Sequence, residues 1–266
     1  YDLLGAGLAA LLVGTLLGVF GGPSLVLVVV LLACAGAILF ELRRPVQLAT
    51  IAAASGLLVW NMASPILPIP SVKSVKAERV VFEKWNAFSR ITVERLGNGK
   101  HDIRIDSDAR TPMASLDEVP EIRWRKDLSA LGYSVVPEAP EVLIIGPGGG
   151  PDVVNALASG AKHVTGVEVN PLIARAVMKE RFAAQSGGLY ADPRVNVVID
   201  DGRSFVRRSS QRYDVIQATL VDTWAATSSG AFALTENTLY TLEAFEDYLT
   251  HLTDAGVLTM TRWFPS

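Results

Sequence analysis

The chain has one cysteine, Cys34, in 266 residues. A single thiol inside an apolar run excludes a disulfide framework and any zinc site built on cysteine. Histidine is scarce too, three in all. His163 begins a strand and His251 lies on a helix, so no metal is expected. Positive charge is not in excess: 24 Lys and Arg face 27 Asp and Glu, a net charge of −3. That balance removes the electrostatic argument for nucleic acid as a partner. Half of the residues are hydrophobic, which excludes a disordered chain.

Charge of either sign is nearly missing from the first 70 residues, which hold only Asp2, Glu41, Arg43 and Arg44. Three apolar runs fill this tract, at 3–20, 25–40 and 46–62, each near the shorter end of what spans a hydrocarbon core. Gly21-Gly22-Pro23-Ser24 and Glu41-Leu42-Arg43-Arg44-Pro45 separate them. A cleavable signal would be one such run behind a basic start, so three in succession predict transmembrane helices over residues 1–68. Trp60 suits the membrane interface near the end of the third run. Position 1 is not Met, and the sequence reads as a piece of a longer chain with further spans upstream. Lys73, Lys76, Arg79 and Lys84 outnumber Arg43 and Arg44 at the span ends, which places the soluble part in the cytosol.

Residues 69–139 favour strands and turns. Residues 79–94 are rich in Val, Ile, Phe and Trp, Gly97-Asn98-Gly99 marks a turn, and HDIRID at 101–106 alternates. A small β-hairpin subdomain is predicted. From 140 to 266 short apolar runs alternate with helical patterns, the rhythm of an α/β domain with a parallel sheet and crossover helices. Strands are expected at 142–145, 163–169, 195–199, 213–220 and 257–263. A helix is expected over 172–184, opened by Asn170-Pro171, and another is marked by Leu242, Phe245, Leu249 and Leu252. Such strands make a doubly wound, Rossmann-like sheet, whose ligands lie beyond the carboxyl ends of the strands. The basic run Arg203, Arg207, Arg208 and Arg212 reads as a solvated helix face.

Four strand ends carry candidate site residues. Gly146, Gly148 and Gly150 let the backbone approach a ligand ahead of a helix N-terminus opened by Pro151 and Asp152. Glu168, twenty residues beyond Gly148, is placed to accept hydrogen bonds from ribose hydroxyls. Asp200-Asp201-Gly202 could read the exocyclic amine of adenine, or cap a helix. The loop at 220–230 is long and built of small residues, and holds Asp222 and Trp224.

Together the stretches VLIIGPGGG, VTGVEVNP, DPRVNVVIDDGRSF and YDVIQATLVDTWAATSSGAFALTEN resemble the spermidine/spermine synthase family, and more closely its membrane-embedded branch, over roughly 77–263. The resemblance implies a hairpin subdomain followed by a methyltransferase-type nucleotide-binding domain. It also implies decarboxylated S-adenosylmethionine as donor and transfer of its aminopropyl group to a diamine, commonly putrescine. Carried over by position, Gly146, Gly148, Gly150 and Gly202 line the nucleoside site, Glu168 holds the ribose and Asp201 reads the adenine. Because the family's domain continues past this point, the sequence also reads as truncated at its C-terminal side.

Three departures stand beside the resemblance. Soluble members have GGGDGG after the first strand, and its Asp falls at Gly149. They have DSSDP after the fourth, where the first, catalytic Asp falls at Thr219 and the second at Asp222. The Tyr and His of the family's YHE segment find no match in Glu121-Ile122-Arg123-Trp124-Arg125. Asp222 is therefore the expected catalytic carboxylate, with Asp152 or Glu236 as helpers. Loss of the Asp at Gly149 would also suit a methyltransferase using intact S-adenosylmethionine, whose methionine carboxylate that Asp would repel. A membrane sensor or scaffold that binds a nucleoside without turnover is the non-enzymatic alternative. The partners expected are an amine or other nucleophile and the membrane; neither the acceptor nor the oligomeric state follows from the sequence.

Overall fold

A strand buried on both faces reads as an unbroken apolar run, and Val142-Leu143-Ile144-Ile145 is such a run. In the computed structural model it lies at the centre of a parallel sheet. The structure describes residues 2–40, 44–67, 69, 77–120, 128–221 and 238–262. The chain divides into two compact units, Tyr1–Glu94 and Arg95–Ser266.

The first unit holds helices α1 (Asp2–Leu39) and α2 (Arg44–Ala63), the strand β1 (Val80–Trp85) and all but the last residue of β2 (Arg90–Arg95), which pairs with β1 antiparallel. Both helices are long and apolar enough to cross a membrane by length and composition. The segment Gly21-Gly22-Pro23-Ser24, expected as a link between two helices, interrupts α1 at that place, so that Asp2–Leu39 is two helices meeting at a kink. Gly21 takes φ 70° and ψ 169°, and Pro23 supplies no N–H to the ladder. Near the end of α2, Asn61 donates from Nδ2 to Ser24 Oγ at 2.8 Å, so α2 returns along the second half of α1. Asn61 Oδ1 accepts the N–H groups of Ile66 and Leu67, which holds the chain as it leaves the helix. The Trp85 ring occupies the room left by the missing side chains at the break: a Cβ on Gly22 would come within 2.9 Å of it. Of the second expected link, Glu41 to Pro45, Arg44 and Pro45 belong to the first turn of α2, and residues 41–43 lie outside the described residues.

The second unit begins with the antiparallel pair β3 (His101–Ile105) and β4 (Ala109–Pro112). After a short helical turn, Leu128–Ser134, come β5 (Glu141–Ile145), α3 (Pro151–Ala158), β6 (His163–Glu168), α4 (Leu172–Arg181) and β7 (Val195–Ile199). Then follow α5 (Gly202–Arg208), β8 (Tyr213–Thr219), α6 (Leu242–Thr250) and β9 (Leu252–Thr261). The sheet order is β7-β6-β5-β8-β9 with every pair parallel. Strand order reverses between β5 and β8, which is where such a sheet opens a ligand crevice.

Two boundaries differ from the sequence pattern. Leu252 has helical spacing from Leu249, yet it opens β9 and pairs with Tyr213. The ladder wins because an irregularity between Tyr213 and Val215 takes up the extra residues, with Gly256 close against the Tyr213 carbonyl. Helix α4 is a wide helix of π type that ends at Arg181 instead of running to 184.

Sidedness within the sheet matters for the site. Leu143, Ile145, Ile216 and Ala218 pack with Val206, Ala244 and Tyr248 into the core under α5 and α6. Gln217, between Ile216 and Ala218, faces the opposite side.

Candidate functional site

The run from β5 into α3 needs glycine for two separate reasons, left-handed backbone and close contact. Gly146 (φ 69°) and Gly150 (φ 96°) have left-handed backbones, which side chains disfavour. Gly150 is the residue before α3, whose first position is Pro151. Gly149 is held by contact: its N–H donates to Thr111 Oγ1 at 3.0 Å and its carbonyl accepts the Ala114 N–H at 2.9 Å. A Cβ there would stand 2.2 Å from the Pro112 carbonyl oxygen. The end of β4 is thus pressed onto the glycine loop, and the position where the resembling family carries Asp has no room for any side chain.

Glu168 closes β6 directly beside this loop. It is only 5% exposed, and each carboxylate oxygen accepts one backbone N–H: Oε2 from Gly148 at 3.1 Å and Oε1 from Asn170 at 2.9 Å. Burial pushes its carboxyl above the ordinary value, and the two N–H bonds oppose that rise. A carboxylate offers about four acceptor positions. Two remain after these bonds, the number that vicinal ribose hydroxyls would use.

A raised carboxyl has a sign for stability. The folded protein keeps the Glu168 proton to higher pH than the unfolded chain does. This group's contribution is therefore complete below its ordinary value and is lost as pH rises through the folded one. Glu168→Gln should remove that slope, so the stability gap between the two proteins should change across this window and be level above it. Thermal unfolding of both as a function of pH checks this; parallel curves would show that the carboxyl does not titrate abnormally.

Tyr190 completes the loop's support. It is buried, and its hydroxyl donates to the Gly148 carbonyl at 2.7 Å. Burial, then the charges of Glu168 and Asp152, push that hydroxyl well above its ordinary value, so it remains a donor. Neither Tyr190 nor Thr111 stood out in the sequence. Tyr190 is 42 residues from Gly148 and Thr111 is 38 from Gly149, with no motif to link them.

At the end of β7, Asp201 caps α5: its Oδ1 accepts the Ser204 N–H at 2.8 Å. Asp200 Oδ1 accepts the Asp201 N–H, and Asp200 Oδ2 pairs with Arg208. The Asp200 N–H reaches the Glu168 carbonyl at 3.3 Å, so the β7 end sits beside the β6 end. Gly202 serves packing, since a Cβ there would meet Ile145 Cγ2 at 2.5 Å. Asp152 is buried in the first turn of α3, where the helix dipole favours negative charge. The structure therefore brings together Gly146, Gly148, Gly150, Glu168, Asp201 and Gly202. Asp222, Trp224 and Glu236 lie outside the described residues, as does the segment Glu121 to Arg125.

The sequence model of the spermine/spermidine synthase domain matches residues 121–262, more than half of the chain. The chain belongs to this family. Among curated relatives, the polyamine aminopropyltransferase of Pectobacterium carotovorum is 39% identical over 85 residues, 32% of this chain and 29% of that one. The polyamine aminopropyltransferase of Sulfolobus acidocaldarius is 24% identical over 190 residues, 71% of this chain and 59% of that one. The chain thus spans less than two thirds of the length of these relatives. A spermidine synthase from Thermotoga maritima superposes with a TM-score of 0.51 at 22% identity, covering 68% of this chain and 56% of that one. A spermidine synthase in complex with the transition state analogue AdoDATO gives 0.50, at the same identity and coverage. At that identity the structural likeness is one of fold, and it agrees with the parallel sheet and its crossover helices.

Proposed function

We propose that the protein transfers an aminopropyl group from decarboxylated S-adenosylmethionine to an amine acceptor. The amine lone pair forms a bond to the carbon next to the sulfonium sulfur, and the carbon–sulfur bond breaks with its electrons going to sulfur. Methylthioadenosine leaves as a neutral thioether, and the new ammonium gives up a proton, for which Asp222 is the acceptor. Alignment of nitrogen, carbon and sulfur supplies much of the rate, and no metal is required.

The observation that carries this reading is the carboxylate of Glu168, fixed by two backbone N–H groups with two acceptor positions left over. Gly146, Gly148 and Gly150 give the nucleoside close approach to the backbone. Asp201 reads the adenine amine with the oxygen not used in the helix cap, and Gly202 keeps that turn tight. Family membership supports alkyl transfer, and the names of the relatives favour aminopropyl over methyl transfer. In the same reading the two halves of α1, divided at Gly21, and α2 insert in a bilayer as separate spans, with the α/β unit on the cytosolic side.

Glu168→Ala tests the nucleoside half. The variant loses two charge-assisted hydrogen bonds, each worth roughly 1.5–3 kcal/mol, so methylthioadenosine affinity measured by calorimetry should fall at least about tenfold. Unchanged affinity would defeat the nucleoside assignment. Mass analysis of the products from each sulfonium donor, with a panel of amines, decides the group transferred. Methylated acceptor and S-adenosylhomocysteine would replace this reading with methyl transfer.

A further inference from the structure

Gln217 is a long polar side chain between Ile216 and Ala218 in the buried middle of β8, and it is 1% exposed. Burying an amide there is costly unless both of its ends are bonded. Both are. Its Oε1 accepts the Tyr133 hydroxyl at 2.6 Å, and its Nε2 donates to Thr219 Oγ1 at 3.1 Å. The three residues form a polar line from the turn 128–134 to the carboxyl end of β8. Thr219 is the position at which the resembling family has its first loop Asp.

The turn carrying Tyr133 is built to make this contact. Gly132 is buried against β9, where a Cβ would meet Thr259 Cγ2 at 2.5 Å. Thr259 is the register partner of Gln217, so glycine at 132 lets the turn come down where the Tyr133 hydroxyl can reach the amide. On the other side, Ile144 of β5 pairs with Gln217 and Ile145 with Ala218. The line therefore runs beside the point where strand order reverses, next to the glycine loop. Burial, then the charge of Asp152, pushes the Tyr133 hydroxyl well above its ordinary value; it stays protonated as a donor.

We infer that Tyr133 and Gln217 are positioning residues that orient the Thr219 hydroxyl to hold the reacting nitrogen of the acceptor. This rests on the transfer reading given above. A hydroxyl oxygen has two lone pairs and one proton, and one lone pair is taken by Gln217. The other accepts an N–H of the incoming amine, which leaves the nitrogen lone pair free to point at the donor carbon. A neutral hydroxyl takes no proton, so Thr219 aligns the nucleophile while proton removal stays with the loop carboxylate. The acceptor nitrogen is accordingly bound as an uncharged amine, held by direction instead of by an ion pair.

The test is a double-mutant cycle on the full chain in detergent, reading methylthioadenosine affinity by calorimetry and the acceptor kcat and KM at saturating donor. Tyr133→Phe and Thr219→Val each keep their shape and lose a hydroxyl. Each should leave nucleoside affinity within about twofold and lower acceptor kcat/KM about tenfold, with the double variant no worse than Thr219→Val alone. Thr219→Ser should recover most of what Thr219→Val loses. Additive losses, silent single variants, or a Ser variant as impaired as the Val variant would each overturn the relay while leaving the transfer reading intact. If the unaltered protein binds no methylthioadenosine, the transfer reading falls and the relay with it. If Tyr133→Phe destabilises the fold, Gln217→Met gives the same comparison from the centre of the line.

Discussion

Asp222→Asn should lower turnover by about 10² to 10⁴, the range a positioned general base contributes, while methylthioadenosine still binds with an affinity within about twofold of the original. The substitution keeps the side chain's size and removes its charge. The first loop carboxylate of the resembling family is Thr219 here, a neutral group already engaged with Gln217. The Asp at the glycine loop is Gly149, where no side chain fits. In the proposed reading Asp222, the second acidic position of that loop, is the residue left to accept the proton. Normal turnover by the variant would move the base to Asp152 or Glu236. Loss of nucleoside affinity would instead make Asp222 part of the nucleoside site.

Gly149→Asp, which installs the residue found in soluble relatives, should destabilise the α/β unit by about 3 kcal/mol, or roughly 10 °C in unfolding temperature. The obstacle is the Pro112 backbone. A Cβ at 149 would lie 2.2 Å from the Pro112 oxygen and 2.8 Å from its carbonyl carbon, and no rotamer relieves that. Moving the β4 end away breaks the bonds from Gly149 to Thr111 and from Ala114 to Gly149. Gly149→Ala should cost nearly as much, because the clash begins at Cβ. Gly97→Asp, at an exposed turn with nothing within 4 Å, should cost little. A Gly149→Asp variant that melts with the original protein would mean that β4 can lift from the loop at no cost.

Local chemistry made much of this molecule legible before any coordinates. The strand Val142-Leu143-Ile144-Ile145 running into glycines, and Glu168 twenty residues on, are short-range patterns, and the structure places them side by side. The break at Gly21 was legible for the same reason, since a glycine pair followed by proline interrupts a helical ladder, and Gly21 is non-helical in the structure. Contacts across long chain separations left no such mark. Thr111 and Pro112 reach the glycine loop only because β4 ends there, and Tyr190 reaches Gly148 from a turn with no periodicity. Gln217 did carry a signal: an amide between Ile216 and Ala218 in a buried strand requires partners. The sequence does not show that these are Tyr133 and Thr219, because the first is 84 residues away.

The break in α1 also fixes a length. A straight helix from Asp2 to Leu39 would run about 57 Å at 1.5 Å per residue, nearly twice a hydrocarbon core of about 30 Å. Divided at Gly21, it becomes two rods of about 28 and 27 Å, and α2, with 20 residues, is a third of about 30 Å. All three then match a single hydrocarbon thickness without large tilt. Inserted as proposed, they fit a bilayer at the thin end of the range better than one thickened by sterol and sphingolipid, and hydrophobic mismatch would favour keeping the protein in thin membranes.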